Sequence, residues 1–383
     1  MKVINVIMSL DPVWGGGTAE RTLKLSRQMA KMGVETVILT TDMGLNKEYI
    51  NSIQDVEIVA LPCLIKRFYF PKFNYKRIKD LLSEADIVHL MGHWTFINAL
   101  VYFILRRIKK PYVVCPAGML PIYGRSHVKK NLFNFFIGNK IITNASGCIA
   151  IAKNEIDQFK EYGVPEKEIT LIPNGVNAED FVGDPSIDFR EKFSLQGAPF
   201  LLFMGRMNAM KGPGLLFEAF ANLKDELGGY HLVFAGPDEG MVHVLKEMTI
   251  KLSLENMVHF VGHLGRVDKV AAYHGMEILV IPSLKDAMSL VVIEAGIVGK
   301  PVLITDQCGF NDVAEVSGGM VVPATVMGIQ KGLIEILKDK EKLKTMGCNL
   351  KKYVENNFTW QHAADKYLQL FKNILNSPYD PIQ

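Results

Sequence analysis

No apolar run in these 383 residues is long enough to cross a bilayer; the longest, around Phe96 to Leu105, stops far short of a spanning helix. Met1 to Leu10 is apolar, but Asp11-Pro12 follow with no small-residue cleavage site, so it reads as a first strand rather than a signal peptide. Cysteine is scarce. Cys63, Cys115, Cys148, Cys308 and Cys348 are odd in number and never close-spaced, which argues against a disulfide framework and a zinc cluster alike. No Asp-x-Asp occurs, no Gly-x-Gly-x-x-Gly follows a predicted strand, and no Gly-Lys-Ser/Thr marks a P-loop. A dehydrogenase and a P-loop NTPase are therefore disfavoured. Internal repeats and low-complexity segments are also missing.

What is present is globular. Apolar residues make up 49% and charged residues 22%, and the length suits two domains of ordinary size. Charge is divided unevenly. Residues 1–178 carry 23 Lys/Arg against 15 Asp/Glu, and the remainder 20 against 25. A basic N-terminal half points to an acidic partner, such as an anionic membrane or a phosphorylated substrate.

Strand and helix patterns alternate along the chain. Val3 to Met8 reads as a buried strand, followed by Gly15-Gly16-Gly17, a helix ending near Gly33, and a strand from Val34. Strands are expected at Asp86–Met91, Pro111–Cys115 and Gly147–Ala152, with helices from Thr95 to about Arg107 and from Lys153 to about Tyr162. The pattern restarts at Phe200–Gly205, continues through His231–Gly240 and Val258–His263, and closes with a helix beginning at Phe358-Thr-Trp360. Such alternation implies α/β architecture: mostly parallel sheets covered by helices on both faces, with ligands beyond the C-terminal strand ends. His89, His93 and Trp94 fall at one such end. His93 fits either a ligand contact or a structural histidine.

The densest pattern runs from Pro282 to Thr305. The run Glu277-Ile-Leu-Val-Ile ends at Pro282, Ser289 fits the N-cap of a helix starting at Leu290, and Gly299 with Pro301 ends that helix before the strand Val302-Leu-Ile304. Asp286 and Glu294 thus flank a helix N-terminus, where exposed N–H groups favour an anion. A sugar nucleotide has that layout, with phosphate between two sets of hydroxyls. The same spacing equally fits a loop acid and a solvated helix acid. Arg206 and Lys211, at a strand end before Gly212-Pro213, are placed to meet phosphate or to be plain surface cations.

Asp286-x7-Glu294, with Pro-Ser-Leu before it and Glu-Ala-Gly…Gly-Lys-Pro-Val after, resembles the Glu-x7-Glu signature of the family 4 (group 1) retaining glycosyltransferases. Gly205-Arg-x4-Lys-Gly212 is similar to their diphosphate motif. Gly15-Gly-Gly-Thr-Ala-Glu-Arg21 is similar to their Gly-Gly…Glu-Arg loop, and Ile172-Pro-Asn-Gly-Val176 to the element before their interdomain linker. The resemblance spans nearly the whole chain. It implies the GT-B fold: two Rossmann-like domains facing each other across a cleft, residues 1–178 on the acceptor side and 179–358 on the donor side, with residues 359–383 crossing back to the first.

The resemblance also implies roles. Arg206 and Lys211 would hold the donor diphosphate, Glu294 the ribose, and Asp286 the sugar. Gly16, Gly17, Ser289 and Leu290, beside Met288, would add N–H groups, and Gly262 belongs to the loop that helps hold the base. His93 and Arg21 are the acceptor-side candidates. Two positions depart from the pattern: Asp286 replaces the usual Glu, and Ala117 replaces a His often found before Gly118-Met-Leu120.

The expected function is metal-independent, retaining transfer of a hexosyl-type sugar from a nucleotide donor to a saccharide acceptor, possible lipid linkage included, as in polysaccharide or O-antigen assembly. No cofactor is expected, because the nucleotide sugar is a co-substrate, and no nucleic acid partner. Two other readings stay open: a sugar-nucleotide epimerase on the same fold, and an inactive sugar-nucleotide-binding partner subunit. Basic residues interleave with aromatics at Lys66–Arg77, Arg106–Lys110 and Arg125–Phe136, which suits docking on an anionic membrane. A cytoplasmic protein, peripheral on the inner face of the plasma membrane, is the expectation; a solvated surface with a few core aromatics is the alternative.

Overall fold

The computed structural model describes residues 1–122, 127–184, 186–286 and 288–377. The chain divides into two compact units. The N-terminal unit comprises Met1–Asn174 and the chain from Trp360 onward; the C-terminal unit is Gly175–Thr359.

The strands of the first unit are β1 (Lys2–Val6), β2 (Glu35–Thr41), β3 (Glu57–Leu61), a small antiparallel ribbon of β4 (Cys63–Ile65) and β5 (Phe70–Pro71), then β6 (Ile87–Met91), β7 (Tyr112–Cys115), β8 (Gly147–Ala150) and β9 (Ile169–Leu171). Seven of them form one parallel sheet in the order β3-β2-β1-β6-β7-β8-β9. The central strands bury every residue of Ile87–Met91 and Tyr112–Cys115, because helices cover both faces. That double coverage explains why these segments read as unbroken apolar runs rather than alternating ones. Thr95 caps the helix Phe96–Ile108 by accepting the Asn98 N–H.

The second unit repeats the plan with β10 (Phe200–Met204), β11 (His231–Ala235), β12 (Val258–Gly262), β13 (Ile278–Ile281), β14 (Val302–Thr305) and β15 (Gly319–Val322), all parallel, in the order β12-β11-β10-β13-β14-β15. Each sheet therefore reverses its winding once, between β1 and β6 in the first unit and between β10 and β13 in the second. Crevices for ligands open at such reversals, beyond the carboxyl ends of the strands.

Three features differ from the sequence-based expectation. The ribbon β4–β5 and strand β3 fall where no strand was expected, in short segments without clear periodicity. The chain Asn134–Gly138 makes a π-helical turn. Ser289 occupies the N-cap of the helix Leu290–Ile297 with extended backbone, but its side chain makes no capping hydrogen bond. The other end of that helix matches expectation: Gly299 has φ +75°, and Lys300 N–H returns to the Ala295 carbonyl. Among the described residues no helix is long and apolar enough to cross a membrane.

Candidate functional site

In the second unit the reversal lies between the Gly205 and Pro282 loops, and backbone contacts bring them together. Leu284 N–H donates to the Met210 carbonyl, and Gly212 packs so close to Pro282 that a Cβ there would sit 2.0 Å from its carbonyl oxygen. With φ +70° as well, position 212 admits only glycine. The loop between is stiffened by Asn208, whose Oδ1 accepts the Lys211 N–H at 3.0 Å.

This geometry joins Lys211 to Asp286. Lys211 Nζ lies 2.5 Å from Asp286 Oδ2, and the Asp286 N–H donates to the Gln307 carbonyl at 2.9 Å. Arg206 is more exposed and donates to Glu239 Oε1 at 3.0 Å, while Asn208 Nδ2 donates to the other oxygen of that carboxylate. Glu239 was missed by the sequence reading; an acid after a Gly-Pro turn carries no recognisable spacing to Arg206. Glu294, in the second turn of its helix, is buried. Lys269 Nζ donates to its Oε1 at 2.6 Å and the Tyr273 hydroxyl to its Oε2 at 2.5 Å. Met288 and Ser289 are buried and Leu290 half-buried beside this helix N-terminus; Ala287 lies outside the described residues. Gly262 ends β12 with φ +73° and open space at its Cβ position.

In the first unit, Gly16 (φ +61°) and Gly17 open the helix Gly16–Lys31 directly after the β1 loop, and an added Cβ at Gly16 would meet nothing within 4 Å. The ends of β6 and β7 are conformationally strained. Trp94 and Ala117 hold φ +53° and +50°, a left-handed region that non-glycine residues seldom occupy. The Ala117-Gly118 turn is held by buried Glu155, which accepts the Gly118 and Ile151 N–H groups.

Both acceptor-side candidates turn out to be built into the core. Arg21 is fully buried and donates to Asn174, to the Ile172 carbonyl at 2.9 Å and to the Tyr367 hydroxyl at 2.9 Å. It clamps the C-terminal helix Trp360–Asn376 to the first unit, with its Nε left without a hydrogen-bond partner. His93 is buried too. Its Nε2 and Trp94 Nε1 both lie 2.9 Å from Asn134 Oδ1, and Asn134 Nδ2 donates to Tyr162, which donates to the Leu120 carbonyl. An indole N–H only donates, so the shared atom is an acceptor and His93 carries its proton on Nε2. Burial pushes the His93 imidazole down to about 4, so it is neutral at pH 7. Asn134 escaped the sequence reading because its inward turn depends on Gly138, where a Cβ would lie 2.4 Å from Asn134 Oδ1. Among the described residues, no three His, Cys, Asp or Glu side chains gather as a metal site requires.

Two doubly wound parallel sheets define a Rossmann-like α/β protein of two units. Two family models match the chain, and they meet within about a dozen residues of the boundary between the units. The model described as Glycosyltransferase Family 4 matches residues 15–180, and that for glycosyl transferases group 1 matches residues 186–353. The chain belongs to this glycosyltransferase family, and its fold is GT-B. It is 26% identical to an uncharacterized glycosyltransferase of Methanocaldococcus jannaschii over 97% of this chain and 98% of that one. It is 23% identical to the D-inositol 3-phosphate glycosyltransferase of Corynebacterium diphtheriae, covering 92% and 88% of the two chains. A structure of an Anabaena protein in complex with UDP and glucose superposes with a TM-score of 0.80 at 17% identity, covering 97% of this chain and all of the other.

Proposed function

We propose that this glycosyltransferase moves a sugar, with retention and without a metal ion, from a nucleotide donor to a saccharide acceptor carried on a lipid at an anionic membrane. The observation that carries the transfer is the pairing of Lys211 with Asp286 across the strand reversal, with Arg206 on the same loop as Lys211 and paired with Glu239. Two cations there can turn from Glu239 and Asp286 to the donor diphosphate, and Glu294 is assigned to the ribose. As the bond from the anomeric carbon to the phosphate oxygen breaks, the leaving diphosphate gains negative charge; Arg206, Lys211 and the N–H groups at Ser289 and Leu290 oppose it. The cations take the part that a metal plays elsewhere, and the nucleotide sugar serves as co-substrate with no further cofactor.

With Glu294 assigned to the ribose and Asp286 to the sugar hydroxyls, no acid is left as a convincing nucleophile, so retention runs through same-face attack. The acceptor hydroxyl oxygen bonds to the anomeric carbon on the face that the phosphate leaves, and its proton passes to the departing phosphate oxygen.

The acceptor side rests on the first unit. Three basic and aromatic segments, distant in sequence, meet on it: Lys129 Nζ lies 5.6 Å from the Phe68 ring centre, Phe68 packs edge-on to Phe96, and Arg107 covers Tyr75 at 5.8 Å. Leu64, Phe103, Val128, Leu132, Phe135 and Phe136 are exposed in the same segments or beside them. Arg125 and Ser126 of the third segment lie outside the described residues. Exposed apolar groups mixed with cations suit the inner face of the plasma membrane.

Thermal-shift screening against nucleoside diphosphates and their sugars tests the donor, beginning with UDP and UDP-glucose because the Anabaena structure holds UDP and glucose. Transfer to lipid-linked saccharides follows, with EDTA present and the product anomer read by NMR. A melting-point rise with one donor, and retained configuration despite EDTA, are expected. An inverted product, or activity that needs a divalent ion, would overturn the mechanism.

A further inference from the structure

Glu294 has two partners that its assigned role does not explain. Lys269 and Tyr273 stand four residues apart on the helix Arg266–Gly275 and so share one face of it. They divide the carboxylate between them, one oxygen each, at 2.6 and 2.5 Å. Phe181 flanks both, with its ring 5.9 Å from Lys269 Nζ and edge-on to Tyr273 at 5.8 Å. A buried carboxylate needs a countercharge and hydrogen bonds to be tolerated. Two donors also do more than satisfy it. An ionised carboxylate accepts about four hydrogen bonds, so one lone pair remains on each oxygen after Lys269 and Tyr273 have bound. With both oxygens pinned, the carboxylate plane cannot rotate, and the directions of the remaining lone pairs are set in advance.

We infer that Lys269 and Tyr273 are positioning residues for nucleotide recognition: they orient Glu294 so that its two remaining lone pairs meet the ribose hydroxyls. This rests on the reading of Glu294 as the ribose ligand. The opposing arrangement is competition, in which Lys269 occupies Glu294 at the expense of ribose. The two differ in sign. Positioning predicts that removing Lys269 weakens binding of a ribonucleotide, and competition predicts that it tightens it.

The test compares UDP with 2′-deoxy-UDP by titration calorimetry on the same protein sample, substituting the GDP or ADP pair if thermal shift identifies another base. The wild type should prefer the ribo form by about tenfold, as expected for a hydrogen bond to a charged group. Lys269→Met and Tyr273→Phe should each reduce that ratio at least threefold, with a smaller loss of affinity for the deoxy form, whose 3′-hydroxyl still reaches Glu294, and Lys269→Arg should retain most of it. Because the ratio is taken within one sample, a partly unfolded variant does not disturb it. Glu294→Gln serves as the reference. If it abolishes the preference and Lys269→Met does not, the positioning role is wrong while the ribose role survives. If Glu294→Gln itself leaves the ratio unchanged, the ribose role falls and the inference with it. Tighter UDP binding by Lys269→Met would establish competition instead.

Discussion

Lys211 and Asp286, 75 positions apart in the chain, meet at 2.5 Å across the strand reversal of the C-terminal unit. The contact makes the aspartate a competitor for the cation assigned to diphosphate. Asp286→Asn should therefore tighten binding of the bare nucleoside diphosphate about two- to tenfold, a modest gain because the pair is partly exposed. The same change should lower kcat with the full donor, since the sugar loses its acid. Calorimetry with and without the sugar separates the two effects, and weaker binding of the bare nucleotide would refute the competition.

Arg206→Ala should reduce kcat/KM roughly ten- to a hundredfold, the worth of a charge-assisted bond to phosphate. Its pairing with Glu239 is exposed, so the melting temperature should hardly move. Normal steady-state kinetics for this variant would remove Arg206 from the site.

Arg21→Ala should act on stability. It strands the acceptors on Asn174, Ile172 and Tyr367 in a buried site and costs about 3 kcal/mol or more. Hydrogen exchange should show the helix Trp360–Asn376 opening first. A variant of full stability with impaired acceptor binding would restore the acceptor-side role.

Burial lowers four imidazoles in the folded protein, pushing His89 down to about 3, His93 and His259 to about 4, and His231 down as well, against about 6.5 when unfolded. The stabilisation is complete above pH 6.5 and is lost as the pH falls through the folded values. Urea midpoints should drop from pH 6.5 to 5, with a slope of up to about 1.4 kcal/mol per pH unit per histidine. His93→Gln should flatten that slope, and a midpoint independent of pH over this window would contradict the assignment.

Membrane docking predicts co-sedimentation with anionic vesicles at low salt, weakened by added salt and by Lys129→Glu. Phe135 and Phe136 are the most exposed aromatics of the patch, and changing both to Ser should reduce binding at least tenfold. Lys130 is a poorer choice for mutation, since its Nζ packs 4.3 Å from the Trp94 ring centre. Protein that remains in the supernatant would end the proposal.

The sequence by itself determined the parallel α/β architecture, because strands covered on both faces are written as short apolar runs such as Ile278–Ile281, and turns as glycine and proline. It also marked Arg206, Lys211, Asp286 and Glu294, whose family spacing is local. Partnerships across the fold could not be read that way. Nothing near Arg21 in the chain says that Tyr367 will receive its guanidinium, and a Gly-Gly…Glu-Arg phrase looks the same whether the arginine faces ligand or core. Asn134 turns inward only because Gly138 leaves it room, and Lys269 and Tyr273 reach Glu294 only because the fold brings their side chains together from two helices apart in the chain. Burial and hydrogen-bond pairing are properties of where chain segments converge, and tertiary structure decided them.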